Sequence, residues 1–91
     1  MRDFKNDLEA VKNFCTQYKI GFGGVDKEDD DESRYTIAYE MENDTIFLYL
    51  TEDETDETDQ VILDTIIVKI YDDMDIVVVL NDKCKAHGII L

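Results

Sequence analysis

Proline and tryptophan are missing from this 91-residue chain, and serine and histidine occur once each, as Ser33 and His87. Without proline, no strand edge is protected in that way. One serine and one histidine are thin material for nucleophilic catalysis. Basic residues are scarce: nine Lys and Arg stand against 23 Asp and Glu, a net charge of −14. That excess keeps a chain soluble, repels nucleic acid and anionic membranes, and attracts basic surfaces. Neither direct nucleic-acid binding nor membrane binding is expected. No apolar run approaches the ~18 residues of a membrane-spanning helix. The opening MRDFKNDLEA is charged throughout and does not read as a signal peptide, so a cytoplasmic protein is expected. Cys15 and Cys84 are too few and too far apart for a disulfide framework, and neither has a CxxC or metal-ligand neighbour. Reduced, partly buried thiols are the expectation.

The hydrophobic fraction of 44% is that of a folded protein rather than an acidic tail. The length suits a single domain, residues 1–91, with one modest core. Residues 3–19 predict an amphipathic helix, with Phe4, Leu8, Val11, Phe14 or Cys15, and Tyr18 at helical spacing. Asp3 is a candidate N-cap. Gly21, Gly23 and Gly24 are expected to end the helix; GFGG follows a helix and lacks the Lys-Ser/Thr pair of a phosphate loop. Residues 26–33, DKEDDDES, read as a solvated loop.

Strict alternation then begins. Tyr35, Ile37, Tyr39 and Met41 share one face of a strand, Asn43-Asp44 makes a turn, and Ile46 to Leu50 returns. On that second strand Ile46, Leu48 and Leu50 oppose Phe47 and Tyr49. After a long acidic connection, TEDETDETDQ, Val61 to Tyr71 reads as a third strand, with Ile62, Ile66, Val68 and Ile70 on one face and Asp64 interrupting them. Asp72 to Asp75 reads as a turn, Ile76 to Leu80 as a central strand, Asn81-Asp82-Lys83 as another turn, and Cys84 to Leu91 as a short last strand bent at Gly88. The expected fold is α+β: one N-terminal helix packed on an antiparallel sheet of four or five strands. One helix cannot cover the apolar residues on both sheet faces, so a homodimer or a partner is expected to cover the rest.

Candidate chemistry is sparse. Pairing His87 with Cys15 or Cys84 is conceivable for nucleophilic work, but on a strand Cys84 and His87 would face opposite ways. The expectation is no enzyme and no cofactor. Asp26, Glu28, Asp30 and Glu32 alternate as calcium ligands do, yet the sixth and twelfth positions counted from Asp26 are Asp31 and Ile37, not Gly and Glu. Counted from Asp53 they are Thr58 and Asp64. Weak divalent binding is conceivable; a dedicated metal site is not expected.

The distribution of charge carries more. Residues 1–19 sum to +1, residues 20–82 to −17 and residues 83–91 to +2. Side chains two apart on a strand lie ~6.6 Å apart on one face, a spacing of the same order as that between neighbouring phosphates. Three acidic patches are candidate partner-binding surfaces: Glu52, Asp53, Glu54, Asp56, Glu57 and Asp59; Asp29, Asp30, Asp31 and Glu32; and Asp72, Asp73 and Asp75. Phe47 and Tyr49 are candidate aromatic anchors.

In size, acidity and helix-plus-sheet outline the chain resembles phage-encoded DNA-mimic proteins, among them anti-restriction and anti-CRISPR inhibitors and inhibitors of uracil-DNA glycosylase. The resemblance implies a stoichiometric inhibitor that needs no cofactor and binds the basic nucleic-acid site of a host defence or DNA-processing enzyme. The alternative is an antitoxin, immunity protein or chaperone-like module that recognises one basic protein by shape.

Overall fold

The computed structural model describes residues 2–24, 34–53 and 60–89. Helix α1, Phe4–Tyr18, begins where expected: the Asp3 carboxylate accepts from the Lys5 amide at 3.0 Å. Its buried stripe is Val11, Phe14 and Cys15, flanked by the half-buried Phe4, Leu8 and Tyr18. It ends differently from expectation. Lys19, not a glycine, takes the left-handed conformation at φ 58°, and the amides of Lys19 and Ile20 both donate to the Cys15 carbonyl. The glycines are left over for a strand, β1, Gly21–Gly24.

Strands β2 (Tyr35–Glu42), β3 (Thr45–Asp53) and β4 (Gln60–Lys69) follow in the expected order, but β3 and β4 take Thr51–Asp53 and Gln60 from the expected acidic connection, and β4 stops short of Tyr71. Asn43 opens the β2–β3 turn at φ 53°, a conformation that asparagine tolerates better than most residues. The sheet order is β1-β2-β3-β4; β1 runs parallel to β2 and the other neighbours are antiparallel. The sheet is therefore mixed, because the chain leaves α1 and enters β1 in the direction of β2.

The largest departure lies at the C-terminal end. Ile76 to Leu80, expected as a strand, opens a second helix, α2, Ile76–Ala86, which also takes up the expected Asn81-Asp82-Lys83 turn and the first residues of the expected last strand. Asp75 decides this locally: its carboxylate accepts from the amides of Val77 and Val78 at 3.1 and 3.4 Å and caps the helix. Packing does the rest. Ile76, Leu80 and Cys84 fall at i, i+4 and i+8 and are all buried. In an unbroken run of apolar residues a helical period is invisible, and β-branched composition points the wrong way. Gly88, at φ 76°, then reverses the chain: its amide donates to the Lys85 carbonyl at 3.0 Å, and that of Ile89 to the Cys84 carbonyl at 2.9 Å. This is a Schellman cap, with Ile89 buried beside Cys84 in the same apolar cluster.

A bulge sits between β3 and β4. Leu50 pairs with Asp64, but Thr51 pairs with Ile62, leaving Leu63 unmatched. The slip moves Ile62 off the face that it was expected to share with Ile66 and Val68. Those two join Ile37, Ile46, Leu48 and Leu50 under both helices in one apolar cluster. Ile70 lies beyond β4, where its amide donates to the Asp44 carbonyl at 2.9 Å. The other sheet face carries Thr36, Ala38, Glu40, Glu42, Thr45, Phe47, Tyr49, Thr51, Ile62, Thr65, Ile67 and Lys69; Thr36 and Thr51 are buried, and among the described residues no helix lies over the rest.

Arg2 ties the chain start to the approach to α2. Its guanidinium forks onto Asp7 at 2.8 and 3.0 Å and donates to the carbonyls of Asp72 and Met74, each at 2.9 Å. Both helices therefore start at this end of the sheet. They finish at the other, where Gly21 pairs with Thr36 and His87 reaches Asp64.

Candidate functional site: acidic ends and an uncovered sheet face

Glu52 is the acidic member of TEDETDETDQ whose side chain is described, and it is already engaged. It accepts from Arg34 Nε at 3.0 Å, and the Arg34 guanidinium lies 5.5 Å from the centre of the Tyr35 ring. Asp53 ends β3. Glu54, Asp56, Glu57 and Asp59 lie outside the described residues, as do Asp29, Asp30, Asp31 and Glu32. The described flanks of one connection, Asp53 and Gln60, lie at one end of the sheet, where Tyr35 pairs with Glu52 and Glu52 with Val61; of the other, Arg34 returns at this end while Gly24 leaves level with Tyr39.

The third patch sits at the opposite end, and two of its members have structural tasks. Asp75 caps α2. Asp72 accepts the Lys69 amide at 2.8 Å, while its own carbonyl accepts from Arg2. Asp73 is exposed. Glu42 and Asp44 lie at this same end, in and beside the β2–β3 turn.

Phe47 and Tyr49 do not adjoin the Glu52 patch as anchors for it. They lie up β3 on the uncovered face, Phe47 about 16 Å from Glu52 at ~3.3 Å per residue. Tyr49 donates to Glu40 Oε1 at 3.3 Å. Desolvation, and then the neighbouring Glu40 carboxylate, raise the Tyr49 phenol above its ordinary value, keeping it a donor. Around these two, Ile62 and Ile67 are 58% and 50% exposed, high values for isoleucine in a sheet.

The nucleophile pairings find no support in the geometry. Burial, and then the neighbouring Cys84, push the Cys15 thiol up to about 12; burial also raises Cys84. Both thiols are held protonated, the state that does not attack. His87 faces Asp64, its Nε2 3.1 Å from Oδ2, with Lys83 Nζ at 3.5 Å from the same oxygen. Burial disfavours the Asp64 carboxylate, but the His87 and Thr65 hydrogen bonds and the Lys83 charge outweigh it and leave the carboxyl below its ordinary range. Sequence reading found no acidic partner for His87. The signal was the acid interrupting the apolar face of β4, which needs a donor opposite it. Among the described residues, no group of three or more His, Cys, Asp or Glu is placed to hold a metal ion. No described helix is long and apolar enough to cross a membrane.

Comparison with protein-family models, with curated proteins and with solved structures yields no significant match.

Proposed function

We propose that this chain is a non-catalytic, acidic inhibitor that occupies the basic nucleic-acid site of a defence or DNA-processing enzyme in the cytoplasm. The observation that carries the reading is the segregation of charge: −17 over residues 20–82 against +1 over residues 1–19. The fold adds support, since sheet pairing gathers the flanks of the 54–59 connection and the end of the 25–33 connection at one edge. A chain with this excess of carboxylates attracts a groove built for phosphates and exchanges the same counterions. Association is then fast and salt-sensitive, and a few apolar contacts set the residence time.

A second reading rests on a different observation. The exposed Ile62 and Ile67 beside Phe47 and Tyr49 suit a shape-specific partner, as an antitoxin or immunity protein would need. Competition separates the two. The bound protein is first captured from the native host and identified. Duplex DNA or RNA is then titrated into the complex at low salt. Displacement by nucleic acid supports mimicry; a complex that ignores saturating nucleic acid overturns it in favour of shape recognition.

A further inference from the structure

The uncovered sheet face is self-complementary, and we infer that it is covered by a second copy of this chain. Sheet pairing sets its side chains in rows. Glu42, Thr45 and Lys69 form one row, Glu40, Phe47 and Ile67 the next, and Ala38, Tyr49 and Thr65 the third. Acid thus lies on the β2 side, base on the β4 side, and aromatic residues along β3 between them. Glu42 and Lys69 are two strands apart, about 9.6 Å at ~4.8 Å per strand, and none of the described ion pairs joins them.

A two-fold axis parallel to β3 resolves this. Rotation about it lays β3 on the β3 of the second copy and β2 on the second copy's β4, keeping every row at its own level. Glu42 then faces Lys69 of the second copy, and Lys69 faces that copy's Glu42. Phe47 and Tyr49 meet their own counterparts on the axis, and Ile67 packs on the stem of the partner's Glu40, whose carboxylate keeps the hydrogen bond that Tyr49 donates within each chain. Aligned sheet-on-sheet packing is the ordinary geometry for two such faces about 10 Å apart. The interface is isologous, as closed dimers require. A patch three strands wide and eight residues long measures roughly 14 by 26 Å. That is about 360 Å² per copy as a flat area, below a standard specific interface, so a weak, concentration-dependent dimer is expected.

This arrangement does not depend on the inhibitor reading and is tested on the purified chain alone. Sedimentation equilibrium at about 0.15 M salt, where screening acts beyond ~8 Å, measures the association. Wild type is expected to dimerise. Glu42→Lys makes the chain less acidic, so a dimer limited only by overall repulsion would tighten. The proposed dimer instead loses at least about tenfold in affinity (roughly 1.4 kcal/mol), because the substituted ammonium then faces the ammonium of Lys69 across the interface. Lys69→Glu is expected to weaken it likewise. The double reversal, Glu42→Lys with Lys69→Glu, restores the net charge and both ion pairs and is expected to return affinity to near the wild-type value. Ile67→Asp, at a half-exposed position that folding tolerates, should give a monomer. A wild-type monomer at all concentrations overturns the inference. So does a dimer tightened by Glu42→Lys, or a double reversal that leaves the dimer as weak as the single changes. Far-UV circular dichroism confirms that each variant is folded.

Discussion

Arg2 uses four of its five guanidinium donors. Its fork onto Asp7 and its bonds to the carbonyls of Asp72 and Met74 join the chain start, α1 and the approach to α2, and the pair is only 13% and 15% exposed. Arg2→Ala is expected to cost about 2 kcal/mol by urea denaturation, since the Asp7 charge and two carbonyls lose a charged donor. Arg2→Lys should recover only part of that, because an ammonium cannot fork. Asp64 behaves differently because it is nearer to solvent. Its carboxyl is held below its ordinary range, so its contribution is complete above the unfolded value of about 3.9 and is lost as pH falls through the lower folded value. Asp64→Asn should therefore be less stable than wild type at pH 7, by under about 1 kcal/mol after solvent screening. The gap should close in strongly acid solution, as pH-dependent thermal melts would reveal.

The two helices end in the same way, with Cys15 and Cys84 carbonyls each receiving an amide from a buried isoleucine, Ile20 and Ile89, five residues on. In one cap the left-handed residue is Gly88, in the other Lys19. Gly88→Ala should cost about 1 kcal/mol, and Lys19→Gly should gain up to about the same, both by chemical denaturation. The cap also explains what was legible. Asp3, the α1 stripe, the Asn43 turn and the alternation of β2 and β3 could be read because each is local. The α2 helix could not. Ile76 to Leu80 is apolar on every side, and only the layer beneath it distinguishes Ile76 and Leu80 from the exposed Val78. The bulge at Leu63 was hidden for a related reason: Ile62 and Leu63 are both apolar, and no glycine marks it. Of the candidate site, the acids could be counted but not assigned. Asp72 and Asp75 serve the backbone and Glu52 serves Arg34, roles that depend on neighbours brought close only by folding.

At the scale of the whole molecule, charge is the variable that separates the functional readings. Replacing Glu52, Asp53, Glu54, Asp56, Glu57 and Asp59 with Gln and Asn removes six negative charges at nearly constant size. Folding stability is expected to hold or rise slightly, apart from the exposed Arg34–Glu52 pair, worth under about 1 kcal/mol. Binding to the captured partner should fall most at low salt, as titration calorimetry at two ionic strengths would measure. Equal binding by both forms at low salt would leave the acidic connection as a spacer. The course of α1 and α2 from the Arg2 end to the Arg34 end has a bearing on the same encounter. Because the helices run the same way, their macrodipoles add. About half a positive charge from each stands at the Arg2 end, and about half a negative charge from each at the other. The acids around Arg2 are softened by that field, while the end bearing Asp53 and Gln60 is deepened by it. Lys85, in the last turn of α2, opposes the deepening. A basic partner of the kind proposed would thus meet a molecule with a preferred orientation, turned by torque before any contact forms. Lys85→Gln would sharpen that orientation and raise the association rate, with little change in how long the complex lasts.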